Sequence, residues 1–163
     1  MLLTGLHSGH AYIRGNDEWA ERGDVWNYSA AVADVSLEGQ RPIPDSTFTL
    51  GEMLQESGYI TGLVGKWGLG APGTVGTPNK QGFDYFYGHL GGGHRFLPEE
   101  LTLKDSYNIT GENDSYRTWI LKNHEPVPPK KYLTDEFSDE AVAFVERNQK
   151  DPFFLFLSYN APH

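Results

Sequence analysis

Twice along this chain a stretch with helical spacing is followed, after a breaker, by a short run of apolar residues. In the second case Leu133, Phe137, Ala141, Phe144 and Val145 fall on one face of a helix predicted from about Thr134 to Gln149. Asp151-Pro152 ends that helix, and Phe153-Phe154-Leu155-Phe156-Leu157 follows with no polar residue. A strand that is apolar at every position cannot keep one face in water, so the run reads as a central strand of a parallel sheet. In the first case Thr49 and Glu52 have capping-box spacing, Leu50, Met53 and Leu54 make the apolar face, and Gly58 suits the position after the helix. Tyr59-Ile60-Thr61-Gly62-Leu63-Val64 is then the buried strand. Helix, strand, helix, strand predicts a doubly wound α/β fold with a mostly parallel sheet.

With 163 residues, four Trp, nine Tyr and nine Phe, the chain can bury a substantial core as one domain. A formal net charge of −9 argues against nucleic acid and against an anionic membrane as partners. No apolar stretch approaches the length of a membrane-spanning helix, and the first residues do not read as a signal peptide. The absence of cysteine means no disulfide joins these residues. Nineteen Gly and ten Pro point to extensive loops. They are expected chiefly between residues 66 and 132, where periodicity is weak apart from a short strand around Phe83 to Tyr87. Residues 104 to 130 are polar and proline-rich and are expected on the surface.

Gly65-Lys66-Trp67-Gly68-Leu69-Gly70 places one cation on a glycine-rich turn at the end of the first apolar run. Open α/β sheets put their ligands at such strand ends. Glycine lets backbone amides approach an anion, and a lysine adds a point charge. The turn is not a Walker A loop, because Ile60 and Trp67 stand where that motif needs Gly and Ser or Thr. On the residues alone, Lys66 fits a surface ion pair as well as an anion site. His94 in Gly91-Gly92-Gly93-His94-Arg95 is a second candidate, and His163, just beyond the Phe153–Leu157 run, is a third. His7 and His10 are too few for a zinc site, and His10 is assigned, with Arg14, to fixing a helix end and its loop.

Several of these segments, in this order, closely resemble the N-terminal catalytic domain of the formylglycine-dependent sulfatases. They are Leu2-Leu3-Thr4-Gly5, Ile43-Pro44-Asp45-Ser46-Thr47-Phe48-Thr49-Leu50-Gly51-Glu52-Met53-Leu54, the Gly-Lys-Trp turn, Gln81-Gly82-Phe83-Asp84-Tyr85-Phe86-Tyr87-Gly88, and Ser158-Tyr159-Asn160-Ala161-Pro162-His163. The resemblance implies an alkaline-phosphatase-like α/β/α sandwich, of which residues 1–163 are part of a single catalytic domain, with 66–132 forming an excursion over the site. It implies hydrolysis of a sulfate ester, on a sulfated carbohydrate or an aryl sulfate, with Lys66 and His163 holding the sulfate and His94 on a loop over the substrate. It implies a calcium ion and a formylglycine nucleophile. The family's Cys-x-Pro-Ser-Arg signature would place that nucleophile about six positions before Met1, and most calcium ligands would also lie outside this chain. Residues 1–163 are therefore expected to be an incomplete piece, inactive alone, of a periplasmic, secreted or lysosomal enzyme. One departure stands out: Gly68 occupies the place of the family's usual histidine. The alternatives are a phosphatase or phosphodiesterase of the same superfamily, and a folded fragment without catalysis.

Overall fold

The computed structural model describes residues 2–13, 41–91, 96–98 and 120–162. Its elements are α1 (Leu50–Glu56), β1 (Ile60–Lys66), a single 3-10 turn at Pro78–Lys80, β2 (Tyr85–His89), β3 (Ile120–Lys122), β4 (Glu125–Val127), α2 (Leu133–Asn148) and β5 (Phe153–Ser158). The predicted capping box forms. The Thr49 hydroxyl accepts from the Glu52 amide at 3.2 Å, and the Glu52 carboxylate accepts from the Thr49 amide at 2.7 Å. Two orphan donors at the start of α1 are thereby satisfied.

The strands form one mixed sheet in the order β4-β3-β2-β1-β5. β1 pairs in parallel with β2 on one side and β5 on the other, whereas β2–β3 and β3–β4 are antiparallel. The two apolar runs are thus parallel neighbours, as expected. The described residues between 66 and 132 contribute three strands to the sheet, of which only β2 is legible as a pattern. β3 and β4 are three residues each, too short to show alternation.

Alternation along β1 sends its residues to two cores. Leu63 packs with Phe83, Phe86, Trp67 and Leu50 on the α1 face. Val64 packs with Tyr87, Leu133 and Phe137 on the α2 face. Helices therefore cover both faces of the sheet, the α/β/α arrangement expected. Several assignments shift, among them Met53 on α1 and Tyr59 before β1, which are exposed. Val145 is 37% exposed, one residue past the stripe formed by Leu133, Phe137, Ala141 and Phe144. β5 is the edge strand among the described residues, and Leu157 is 36% exposed in spite of its apolar sequence.

Polar ties orient these layers. The Thr61 hydroxyl donates to the Gly82 carbonyl at 2.6 Å and accepts from the Asp84 amide at 3.0 Å. The Asp84 carboxylate accepts from the Thr61 amide at 2.9 Å and from the Gln55 side chain at 2.6 Å. The Gly-Phe-Asp motif thus locks α1, β1 and β2 at the end of the sheet remote from Lys66. On the other face the Tyr85 hydroxyl donates to Glu140, and Tyr87 donates to the buried Glu136. Glu136 also accepts from the Lys130 amide at 2.7 Å, so one carboxylate ties α2 both to the sheet and to the loop before it.

At the other end of the sheet the strands close on one another. Gly65 (φ 116°) is pressed against the Ser158 carbonyl, and Gly88 is pressed against the carbonyl of Gly65, so a Cβ at either position would overlap an oxygen. Gly65→Ala should therefore cost about 3 kcal/mol or more, combining a disfavoured φ with overpacking. Gly73→Ala, at φ 75° with nothing within 4 Å, should cost only about 1 kcal/mol in urea unfolding. Equal costs would mean that backbone strain and not strand contact sets the requirement.

The tyrosine ties predict alkaline sensitivity. Burial, and then the bonded and charged carboxylates beside them, push both phenols well above the ordinary 10.0. In the unfolded chain tyrosines release protons from about pH 10, while the folded protein retains them. The stability they contribute is complete below that pH and is lost as pH rises above it. Urea midpoints should fall from about pH 10 upward, and the Tyr85→Phe/Tyr87→Phe double variant should show a shallower fall.

Candidate functional site

The C-terminal ends of the three parallel strands meet along one edge. β1 ends at Lys66, β2 at His89 and β5 at Ser158, with Lys66 opposite His89 and Gly65 opposite Ser158 in the ladders. Lys66 is the last residue of β1, two residues beyond the predicted end of the strand. It belongs to a paired strand, and the turn begins only at Trp67. This is the crevice end of an open α/β sheet.

The turn is anchored on the β2 side. The Trp67 amide donates to the His89 carbonyl at 3.0 Å, and the Gly68 amide donates to the Leu90 carbonyl at 3.1 Å. The Trp67 indole is 7% exposed, donates Nε1–H to the Gly76 carbonyl at 2.6 Å and meets Phe83 edge-on at 5.8 Å. The bulky residue of the motif is thus a wedge that fixes the turn. Lys66 is half-buried and carries the motif's only cation. Trp67 and Ser158 line a mainly apolar cleft of about 230 Å³ with Leu3, Leu6, Tyr12 and Phe156. Lys66 does not line it; it continues the Val64 row on the opposite face of the sheet.

Of the candidates read from the sequence, Lys66 stands on this edge. His94 and His163 lie outside the described residues, although β5, which leads to His163, ends beside Gly65. His7 and His10 are exposed on a turn with their rings 4.4 Å apart, and His7 Nδ1 accepts from the Gly9 amide at 3.0 Å. That bond gives His7 a local structural role, while Arg14 lies outside the described residues. Among the described residues no three His, Asp or Glu side chains gather to hold a metal ion. Asp84 is committed to Thr61 and Gln55. The described residues therefore do not fit a calcium site.

Two buried polar residues at this edge escaped the sequence reading. His89 has no solvent exposure, and Asn160 is 4% exposed just beyond β5. A signal for His89 did exist. Tyr85, Tyr87 and His89 alternate on one face, and an imidazole closing an aromatic row next to a glycine run is an uncommon choice for a core position.

The sulfatase family profile matches residues 2–163. The chain is 37% identical over 133 residues to an arylsulfatase from Hemicentrotus pulcherrimus, covering 74% of this chain and 22% of that protein. It is 32% identical over 130 residues to the N-acetylgalactosamine-6-sulfatase of Canis lupus familiaris, covering 74% of this chain and 23% of that one. The crystal structure of Ps i-CgsB in complex with k-i-k-neocarrahexaose superimposes with a TM-score of 0.63 at 34% identity, over 79% of this chain and 31% of the other. The chain thus spans about a quarter to a third of the length of these relatives. With the matched profile reaching from Leu2 to His163 and Lys66 at the crevice edge of a matching sheet, this chain belongs to the sulfatase family.

Proposed function

We propose that residues 1–163 form part of the catalytic domain of a sulfate-ester hydrolase and supply its sulfuryl-binding edge. The single observation that carries this reading is Lys66 ending the middle strand of the three parallel ones, within a chain matched throughout by the sulfatase profile. The same match favours a sulfatase over a phosphatase of related fold. Kinship with an N-acetylgalactosamine-6-sulfatase and with a structure holding an oligosaccharide favours a sulfated sugar as substrate, with an aryl sulfate as a simple analogue.

In this reading the Lys66 ammonium holds a sulfuryl oxygen and meets the negative charge that grows on the ester oxygen as the S–O bond lengthens. A cation fixed where charge develops stabilises the transition state more than the bound substrate, and its work shows in kcat. His163, following β5, is proposed as a second sulfate contact. His94 is proposed to approach the remainder of the substrate. A formylglycine outside these residues would supply the covalent nucleophile, and a calcium ion, held by other parts of the domain, would neutralise sulfuryl oxygens. Gly68 offers no side chain at the place of the usual histidine, and the buried Gly68 amide is committed to the Leu90 carbonyl.

In the complete enzyme Lys66→Ala should lower kcat on 4-nitrophenyl sulfate by about a hundredfold, the scale for loss of one preorganised oxyanion donor. Lys66→Arg should recover little, because a planar fork does not reproduce a compact charge. Melting temperatures should barely move, since Lys66 is half-exposed. Near-wild-type kcat/KM in Lys66→Ala would make Lys66 a structural strand end and remove the assignment.

Residues 1–163 expressed alone should fold yet show no turnover of the same ester, because the sequence contains no cysteine from which a formylglycine could form. Enzyme-like rates from this piece would place the nucleophile elsewhere.

A further inference from the structure

His89 is a costly residue for its position. It is completely buried, and its ring lies 20° from parallel to that of Phe137 on α2 at 6.3 Å. An aromatic hydrocarbon would fill such a place without the expense of burying an imidazole. One thing the imidazole adds is a bond: Nδ1 lies 3.2 Å from the Gly91 carbonyl. A carbonyl only accepts, so Nδ1 carries the proton and the ring closes the turn that follows β2.

That turn holds the acceptors for the Gly-Lys-Trp segment. The His89 carbonyl receives the Trp67 amide, and the Leu90 carbonyl, between His89 and Gly91, receives the Gly68 amide. Lys66 stands opposite His89 in the ladder. The chain after Lys66 is therefore moored to two carbonyls whose orientation depends on the His89–Gly91 closure.

We propose that His89 is the positioning residue for Lys66. Through Nδ1–H it fixes residues 89–91, and they fix Trp67 and Gly68, so that the lysine leaves the strand at one angle. The inference rests on the sulfatase reading for its consequence in catalysis, while the mooring itself is a property of the fold. A displaced lysine still attracts sulfate but misses the developing charge, so the loss belongs in kcat.

Two substitutions in the complete enzyme separate positioning from packing. His89→Phe keeps the aromatic stack on Phe137 and removes the donor. His89→Asn keeps a donor near the Nδ1 place and loses the stack. Hydrogen exchange at the Trp67 and Gly68 amides should accelerate about tenfold in His89→Phe, with melting temperature equal to or above wild type, and stay near wild type in the less stable His89→Asn. On 4-nitrophenyl sulfate, kcat should fall about tenfold in His89→Phe with KM nearly constant, and within about threefold in His89→Asn. Unchanged amide exchange in His89→Phe, or kcat that tracks melting temperature across the series, would overturn the proposal. If the wild-type enzyme turned over no sulfate ester while the amide pattern appeared as described, the sulfatase reading would fail and the mooring would stand.

Discussion

Everything at the candidate site depends on how closely three parallel strands approach one another at their C-terminal ends. Gly65 lies against the Ser158 carbonyl on one side, and its own carbonyl lies against Gly88 on the other. Side chains at these positions would push the strands apart, and with them the residues that follow. The contact brings Lys66, His89 and the end of β5 onto one edge, and it does so with backbone, which has few soft degrees of freedom. The two faces of β1 are then held by separate aromatic clusters, so the middle strand is fixed on both edges and both faces.

The polar residues of the motifs divide their work by location. At the end of the sheet remote from Lys66, Thr49, Thr61 and Asp84 spend most of their hydrogen bonds on backbone amides and carbonyls, and Gln55 completes the link from α1 to β1 and β2. Their chemistry is that of a clasp. On the α2 face Glu136 and Glu140 take the tyrosine hydroxyls and set the helix against the sheet. At the Lys66 end, Trp67 is consumed by Gly76 and Phe83 on the α1 face, while Lys66, the motif's charged group, continues the Val64 row on the opposite face. A motif of six residues thus contains one cation, proposed above as the functional side chain, and neighbours that anchor the turn after it.

The family relationship adds a boundary to this picture. The chain covers about a quarter to a third of its relatives, and the described residues neither gather a metal site nor include a thiol. What they do hold is the close-packed sheet edge on which Lys66 ends, which in the proposed reading is the positive side of a sulfuryl site. Catalysis in such a site is an alignment of groups from several strand ends, and alignment is what the close-packed edge provides.

Local patterns in the sequence were enough for the α/β class, α1 with its capping box, the two parallel apolar strands, α2 to within a residue at each end, and Lys66 at a strand end. These are local statements: the 3.6 and 2.0 periods, the Thr49–Glu52 spacing and the Gly and Pro breakers all act over a few residues. The sequence did not show β3 and β4, because three-residue strands carry no period. It assigned Val145 to the buried stripe because the helix phase drifts past the sheet near its end. It passed over His89, whose meaning comes from contacts that local spacing does not reveal: the register with Lys66 and the stack on Phe137. Strand order, the Gly65–Ser158 approach and the edge position of β5 among the described residues were settled only in three dimensions, since each depends on segments tens of residues apart meeting at close range.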